Sequence, residues 1–222
     1  MIRRPTTSAV LLAAAATVIY ALLWVGHRQD WAWLHATDWC LLNTAHDIGV
    51  KHPAWVRFWV VVSFVLGPIP TRLLGMVVVV IALVQRKVRM ALLLFACLPL
   101  NGLVTMVAKG LAGRPRPLTE FVTAPSSSFP SGHALELMAA VLALLTFLLP
   151  ILTIPWTRVL LVGAAVVSVL TVGAARVALN VHHPTDVAAG WSLGCAYFLL
   201  CLWVFRPVTA TDDEPAELAE AG

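Results

Sequence analysis

The chain has 222 residues, of which 60% are hydrophobic and only 12% are charged, and its mean hydropathy is +0.87. Soluble globular proteins carry about 25% charged residues, so this composition excludes a soluble domain and indicates an integral membrane protein. The formal net charge is +4, but the basic residues are scattered between apolar runs, which is typical of membrane topology signals and gives no indication of nucleic-acid binding.

The apolar runs are long and continuous, which predicts an all-α bundle of membrane helices and excludes a barrel of alternating strands. About 20 apolar residues cross a bilayer, and six runs are assigned as spans: 8–26, about 69–85, 90–108, 134–154, 159–175 and 187–205. The first run follows Arg3 and Arg4 like a signal peptide, but its length favours an uncleaved span.

The segments between the spans are predicted as follows. Residues 27–57, with four tryptophans and several charges, are expected to form a loop against the membrane interface. Residues 58–67 are too few to cross, and Gly67-Pro68-Ile69-Pro70 follows them, so a short interfacial or re-entrant helix is expected. Residues 1–208 are predicted to form one membrane domain, and the acidic residues 209–222 a disordered tail.

The orientation is predicted from lysine and arginine. Residues 86–89 hold three bases in a short loop, which favours a cytoplasmic position for that loop. Both termini are then cytoplasmic, and the polar loop 110–130 faces outside.

Several residues that can bind an anion or transfer a proton lie at the outer ends of the predicted spans, although they are far apart in sequence. These residues are Lys109, Arg116, Ser131, Gly132, His133, Arg176, His182 and Asp186. Because alternating spans bring these ends to one face of the membrane, we expect the residues to form a single site at the outer interface.

The residue types of this site indicate phosphate chemistry. Guanidinium groups bind phosphate oxygens in pairs and lysine adds a point charge, while a helix that starts after Ser131-Gly132 offers backbone N–H groups. Two histidines beside such a cradle suggest phosphoryl transfer, with one neutral imidazole as nucleophile and the other as proton donor. Asp186, four residues after His182, can hold the tautomer of that ring.

Three motifs carry a resemblance to a known family. Lys109-x6-Arg116-Pro117, Pro130-Ser131-Gly132-His133 and Arg176-x5-His182-x3-Asp186 are similar to the motifs of the type 2 phosphatidic acid phosphatase superfamily. That family includes membrane lipid phosphate phosphatases and bacterial undecaprenyl pyrophosphate phosphatases, and soluble acid phosphatases and vanadium haloperoxidases share its motifs. One departure is Ala175, where the family usually has serine before the arginine.

The resemblance implies a role for each site residue. His182 would be the nucleophile that forms a phosphohistidine, Asp186 would orient it, and His133 would be the general acid. The phosphoryl oxygens would be held by Lys109, Arg116, Ser131, Gly132 and Arg176. No cofactor and no metal are expected, because the cations already neutralise the phosphoryl charge.

The function predicted from these observations is hydrolysis of a lipid phosphate or diphosphate in the membrane. Polyprenyl diphosphate, phosphatidic acid and phosphatidylglycerol phosphate all fit as substrates. A transporter or a non-catalytic membrane protein with an anion-binding cluster is the alternative, and a haloperoxidase is a third possibility.

Three further residues have open roles at this stage. Arg114 either shapes its loop or touches the substrate. Glu136 lies one helical turn from His133, and is either a carboxyl at a wet helix end or a group that raises the pKa of His133 or meets a substrate hydroxyl. His183 is interpreted as a polar neighbour of His182, since both side chains are not expected to point into one site.

Overall fold

The computed structural model describes residues 6–205, and this part of the chain forms nine helices without strands. The helices are α1 (Thr7–Arg28), α2 (Ala32–Lys51), α3 (Pro53–Val65), α4 (Pro68–Val84), α5 (Val88–Cys97), α6 (Gly102–Ala112), α7 (Gly132–Leu148), α8 (Pro155–Ala178) and α9 (Pro184–Phe205). The all-α prediction is confirmed. The predicted tail, 209–222, lies outside the described residues.

Five helical segments of the described chain are long and apolar enough to cross a membrane. They are α1, α3 with α4, α5 with α6, α8 and α9. The shorter apolar helix α7 has 17 residues, which corresponds to about 25 Å at 1.5 Å per residue. With α7 as the remaining crossing, the layout agrees with the predicted six-span bundle.

The segment predicted as an interfacial loop, 27–57, is mainly helical, and this part of the prediction is wrong. Helix α2 runs from Ala32 to Lys51 and packs against α8 and α9. Leu34, Asp38 and Leu42 are all buried and recur every four residues, so they lie on one face of the helix. The sequence already contains this periodicity, although the tryptophans and charges of the same segment favoured a loop.

The sequence predicts a break at residues 67–70, and the structure has a break there between α3 and α4, although it lies at Leu66 and Gly67 and α4 already begins at Pro68. Helix α3 nevertheless begins at Pro53 rather than at residue 58, and both α3 and α4 start with proline in the first turn, where its missing N–H costs nothing. Helix α3 packs along α8, which brings the break to the level of the predicted site.

The third span, predicted as one helix over 90–108, is also broken. Helix α5 ends at Cys97 and α6 begins at Gly102. The buried Asn101 bridges the gap, since its Nδ2 donates to the Cys97 carbonyl at 2.6 Å and to the Glu136 carbonyl at 3.0 Å. Pro99, which has no N–H, was the local signal for this break.

Helix α7 lies at the centre of the bundle and packs most extensively against α9. Glycines of α9 make this contact close: a Cβ atom at Gly190 would lie 2.6 Å from the Ser131 carbonyl oxygen, and one at Gly194 would lie 2.5 Å from that of Leu135. The start of α9, which carries Asp186, is therefore held against the start of α7, which carries His133.

The chain ends of the described region lie away from this site. At the end of α1, His27 stacks on Phe129 of the loop 113–131 at a centroid distance of 6.0 Å. Helix α1 packs along α9, whose first turn is also at this level. The start of α1 and the end of α9 are therefore both at the opposite end of the bundle.

Candidate active site

The residues that the sequence placed in one site are brought together by the ends of α6, α7, α8 and α9. His133 is close enough to interact electrostatically with Arg176, His182, Lys109 and Arg116. The backbone N–H of Ser131 donates to the Asp186 carbonyl at 2.9 Å. A Cβ atom at Gly132 would lie 3.7 Å from Cε of Lys109. All eight predicted residues thus contribute to one cluster.

His182 lies in the short turn between α8 and α9 and is almost fully buried, with 1% of its surface exposed. Its two ring nitrogens have different surroundings. Nε2 is 3.4 Å from Nη1 of Arg116, and Nδ1 is 3.6 Å from Oδ2 of Asp186. Burial, with the nearby Arg176, lowers the pKa of His182 to about 3, although Asp186 acts in the opposite direction. The imidazole is therefore neutral at ordinary pH.

Asp186 is fully buried, and both of its carboxylate oxygens accept hydrogen bonds. Oδ1 accepts from Nη1 of Arg114 at 2.6 Å. Oδ2 accepts from the Ser128 hydroxyl and from the backbone N–H of His183, the latter at 2.9 Å. The carboxylate is held in one orientation, with Oδ2 towards the two histidines.

His183 also faces Asp186, so the expectation that only one of the two neighbouring rings points towards the site needs correction. Its Nδ1 is 3.1 Å from Oδ2 of Asp186, closer than that of His182. Its ring packs edge-on against Trp39, at a centroid distance of 6.0 Å. The difference between the histidines lies in Nε2, which in His182 is beside the guanidinium of Arg116.

Three cations surround the histidines. Arg176 donates from Nη1 to the Ser63 hydroxyl at 2.8 Å, Lys109 donates to the Ser127 carbonyl, and Arg116 donates to the Val181 carbonyl at 2.6 Å. Within residues 6–205, none of the three cations lies within 4 Å of a carboxylate. The cluster therefore keeps an excess of positive charge, which suits an anionic ligand.

The start of α7 adds polar groups to this cluster. The hydroxyl of Ser131 is buried and has no hydrogen-bond partner in the described part of the chain. Gly132 allows a close approach to α6, because a Cβ atom there would lie 2.8 Å from Cγ2 of Thr105. The first N–H groups of the helix have no intrahelical acceptors, and they favour a negative charge at this end.

His133 lies opposite the break between α3 and α4. A Cβ atom at Gly67 would be only 3.2 Å from its Nε2. The break in the second span thus forms the wall of the site beside this histidine.

Glu136 has a partner that the sequence did not indicate. Its Oε2 accepts from Nη2 of Arg72 at 2.7 Å, and only 4% of the residue is exposed. It is therefore not a carboxyl at a wet helix end. Its ion pair joins α7 to α4, and the contact seen is with Arg72 rather than with His133.

Four further contact residues were missed or left open by sequence reasoning. Arg114 and Ser128 bind Asp186, Asp38 binds Arg114, and Ser63 binds Arg176. Ser63 could have been noticed as a polar residue in an apolar helix, and Asp38 by its spacing from Leu34 and Leu42. Ser128 lies in a polar loop, and no comparable sequence feature indicated its contact.

Comparison with known proteins shows which family and which fold this chain resembles. The model of the PAP2 superfamily matches residues 90–210. Phosphatidylglycerophosphatase B of Bacillus subtilis (strain 168) is 36% identical over 119 residues, which is 52% of this chain and 58% of that protein. The match thus spans less than two thirds of the relative.

A solved structure extends the similarity to most of the fold. The crystal structure of the first transmembrane PAP2 type phosphatidylglycerolphosphate phosphatase, from Bacillus subtilis, superimposes with a TM-score of 0.71 at 22% identity. The superposition covers 85% of this chain and 93% of that one. The family model, which matches more than half of the chain and contains all three motifs, shows that this chain belongs to the PAP2 superfamily.

Proposed function

We propose that this protein is a membrane phosphatase that hydrolyses the phosphate or diphosphate monoester of a lipid through a phosphohistidine intermediate. The observation that carries the proposal is the position of His182: a neutral, buried imidazole with Nε2 beside Arg116 and Nδ1 towards Asp186. A nucleophile that faces a cation cluster is suited to attack the phosphorus of a phosphate group, because the cations offset the negative charge of the phosphate oxygens.

In the first step, the Nε2 lone pair of His182 forms a bond to phosphorus, and the bond from phosphorus to the lipid oxygen breaks. His133 gives a proton to that oxygen, so the lipid leaves as an alcohol or, from a diphosphate, as a monophosphate. Asp186 stabilises the positive charge that the His182 ring acquires. The distance of 3.6 Å between Nδ1 of His182 and Oδ2 of Asp186 is beyond a normal hydrogen bond. Catalytic hydrogen bonds often shorten only when the substrate is bound.

In the second step, water attacks the phosphohistidine and gives a proton to His133. The nitrogen–phosphorus bond breaks, inorganic phosphate leaves, and His182 returns to its neutral form. Throughout both steps, Lys109, Arg116 and Arg176 neutralise the phosphoryl oxygens, and the start of α7 with Ser131 and Gly132 adds hydrogen bonds. These side chains support a reaction without metal or organic cofactor.

The substrate proposed first is phosphatidylglycerol phosphate, because the curated relative is named a phosphatidylglycerophosphatase. Polyprenyl diphosphate and phosphatidic acid also place a phosphate on a lipid tail and stay as alternatives. We propose that the site faces the outer side of the membrane and that both termini are cytoplasmic, as the bases at 86–89 indicate.

The purified protein in detergent tests this proposal. We expect phosphate release from lipid phosphates and an acid-labile phosphoenzyme in rapid-quench experiments with labelled substrate. His182→Ala should abolish both. His133→Ala should slow the reaction of a lipid phosphate more than that of an activated aryl phosphate, because a good leaving group needs little proton help.

The neighbouring histidine supplies the discriminating variant. His183→Ala should keep much of the phosphoenzyme formation, since the Nε2 beside Arg116 belongs to His182. His52→Gln, an exposed change in the α2–α3 turn, is the matched control and should behave as wild type. Peptide mapping that finds the label on residue 183, or phosphoenzyme in His182→Ala, would refute the assignment.

A further inference from the structure

A buried ion network joins α2 to the proposed catalytic aspartate. Arg114 donates from Nη1 to Asp186 Oδ1 at 2.6 Å and from Nη2 to Asp38 Oδ2 at 2.8 Å. Thr185 closes the network: its backbone N–H donates to Asp38 Oδ1 at 2.9 Å and its hydroxyl donates to Oδ2 at 2.7 Å. Helix α2, loop 113–131 and α9 therefore meet at one guanidinium group.

The burial of this network makes it energetically demanding. Asp38 and Asp186 are both fully buried, and Arg114 is 8% exposed. Buried charges are tolerated only when they are paired and hydrogen-bonded. Burial lowers the pKa of Arg114, but Asp186 and Asp38 outweigh this effect and raise it, so the guanidinium stays charged.

The charge balance of the network matters for the reaction. One guanidinium between two carboxylates leaves a net charge of −1. Without Asp38, the single cation would neutralise Asp186. A neutralised Asp186 would give little support to His182, whose ring becomes positive when its Nε2 bonds phosphorus.

We propose that Arg114 and Asp38 are positioning residues of the phosphatase reaction. Arg114 holds Oδ1 of Asp186 so that Oδ2 faces the histidines, and Asp38 supplies the second negative charge that keeps Asp186 effective. This inference rests on the proposed function. It adds α2 to the catalytic machinery, although α2 lies outside residues 90–210, the part that the family model matches.

The neighbouring contact on α2 supports the same reading. Trp39 packs edge-on against His183, whose Nδ1 shares Oδ2 of Asp186. Asp38 and Trp39, which are consecutive in α2, thus both contact the network around Asp186. Asp38 does so through its charge and Trp39 through its aromatic ring.

The test uses rapid-quench measurement of phosphoenzyme formation by the full-length protein in detergent. Asp38→Asn should lower the formation rate constant about tenfold, with KM little changed. Arg114→Gln should lower it by about a hundredfold, the size expected for a misplaced catalytic group. The double variant should be no slower than Arg114→Gln, because the charge of Asp38 acts through Arg114 and asparagine keeps an oxygen that can accept from the Thr185 N–H.

The rate constant and the burst amplitude separate this role from a structural one. Misfolding of a fraction of the molecules lowers the amplitude and leaves the rate constant of the folded fraction unchanged. Asp47→Asn makes the same chemical change at an exposed position of the same helix and should match wild type in both quantities. If Arg114→Gln does not fold, Asp38→Asn alone decides the question.

An unchanged formation rate constant in Asp38→Asn, or a loss confined to the amplitude, would overturn the inference while the proposed function stands. A wild-type protein that hydrolyses lipid phosphates without any phosphoenzyme would instead refute the covalent mechanism, and this inference with it.

Discussion

At the scale of single residues, the decisive feature is the protonation of His182. An ordinary histidine has a pKa near 6.5 and becomes charged as the pH falls below that value. Burial among cations disfavours the charged form of His182 and lowers its pKa to about 3. Nε2 of His182, the proposed nucleophile, is therefore expected to stay unprotonated in acid.

This protonation state gives a prediction for NMR of the protein with labelled histidines in detergent. As the pH is lowered from about 8 to about 5, the resonance of His182 should keep the shift of a neutral ring. The resonance is assigned by its loss in His182→Gln, and titration of that signal near 6.5 would contradict the lowered pKa of His182.

The three site cations lead to a second prediction at this scale. Lys109, Arg116 and Arg176 lie beside the histidines without carboxylate partners in the described residues, so they can neutralise a phosphoryl group by themselves. We expect phosphatase activity to survive EDTA. Vanadate should inhibit, because it can adopt the trigonal bipyramidal geometry of transferring phosphorus.

The measurement compares phosphate release before and after chelation, with Mg²⁺ added back. A complete loss with EDTA that Mg²⁺ restores would show that a metal is needed. Arg176→Gln should weaken vanadate inhibition, whereas Arg158→Gln, at the other end of α8, should not.

At the scale of helices, the break between α3 and α4 brings a polar residue of the second span to the site. The Ser63 hydroxyl accepts from Nη1 of Arg176. Arg176 directly follows Ala175, the position at which the motif resemblance leads us to expect a serine. The second span thus provides a hydroxyl group for this arginine from a different helix. Without the break at Gly67, the wall beside His133 could not take this shape.

This contact predicts a measurable effect of Ser63→Ala. A hydrogen bond to a charged group contributes about 1.5–3 kcal/mol, and its loss lets Arg176 move from its position. We expect kcat/KM to fall about tenfold, since 1.4 kcal/mol corresponds to a factor of ten.

Ser168 of α8 provides the matched control. Its hydroxyl donates to the Ala164 carbonyl of its own helix, so Ser168→Ala should leave the kinetics unchanged. Equal kinetics for Ser63→Ala and wild type would show that Arg176 is positioned without this serine.

At the scale of the whole molecule, the six crossings place the site at one end and the described chain termini at the other. The bases at 86–89 predict that the turn between α4 and α5 is cytoplasmic. In a cysteine-free background, Leu118→Cys should react with an impermeant maleimide in intact cells, and Gln85→Cys should not. Leu118 is suitable because it is 99% exposed and its loop is predicted to face outside.

Permeabilised cells provide the control for this experiment, because both cysteines should then react. The opposite pattern in intact cells, with Gln85→Cys labelled and Leu118→Cys protected, would place the site on the cytoplasmic side.

The sequence by itself was sufficient for the parts of this protein that depend on local composition and spacing. Continuous apolar runs predicted the spans, because a bilayer demands apolar surface and internally satisfied backbone groups. The spacing of the three motifs predicted the residues of one site, because alternating spans return to the same face. Both predictions need only the order of residues along the chain.

Only the tertiary structure decided which side chains meet across helices. Asp38, Arg114 and Asp186 share one network although they come from three segments, and Glu136 pairs with Arg72 of another span. Such partners depend on helix rotation and on close packing at glycines like Gly190, which no local pattern specifies. A buried charge needs a partner from whichever helix packs against it, and that helix is determined by the packing of the whole bundle.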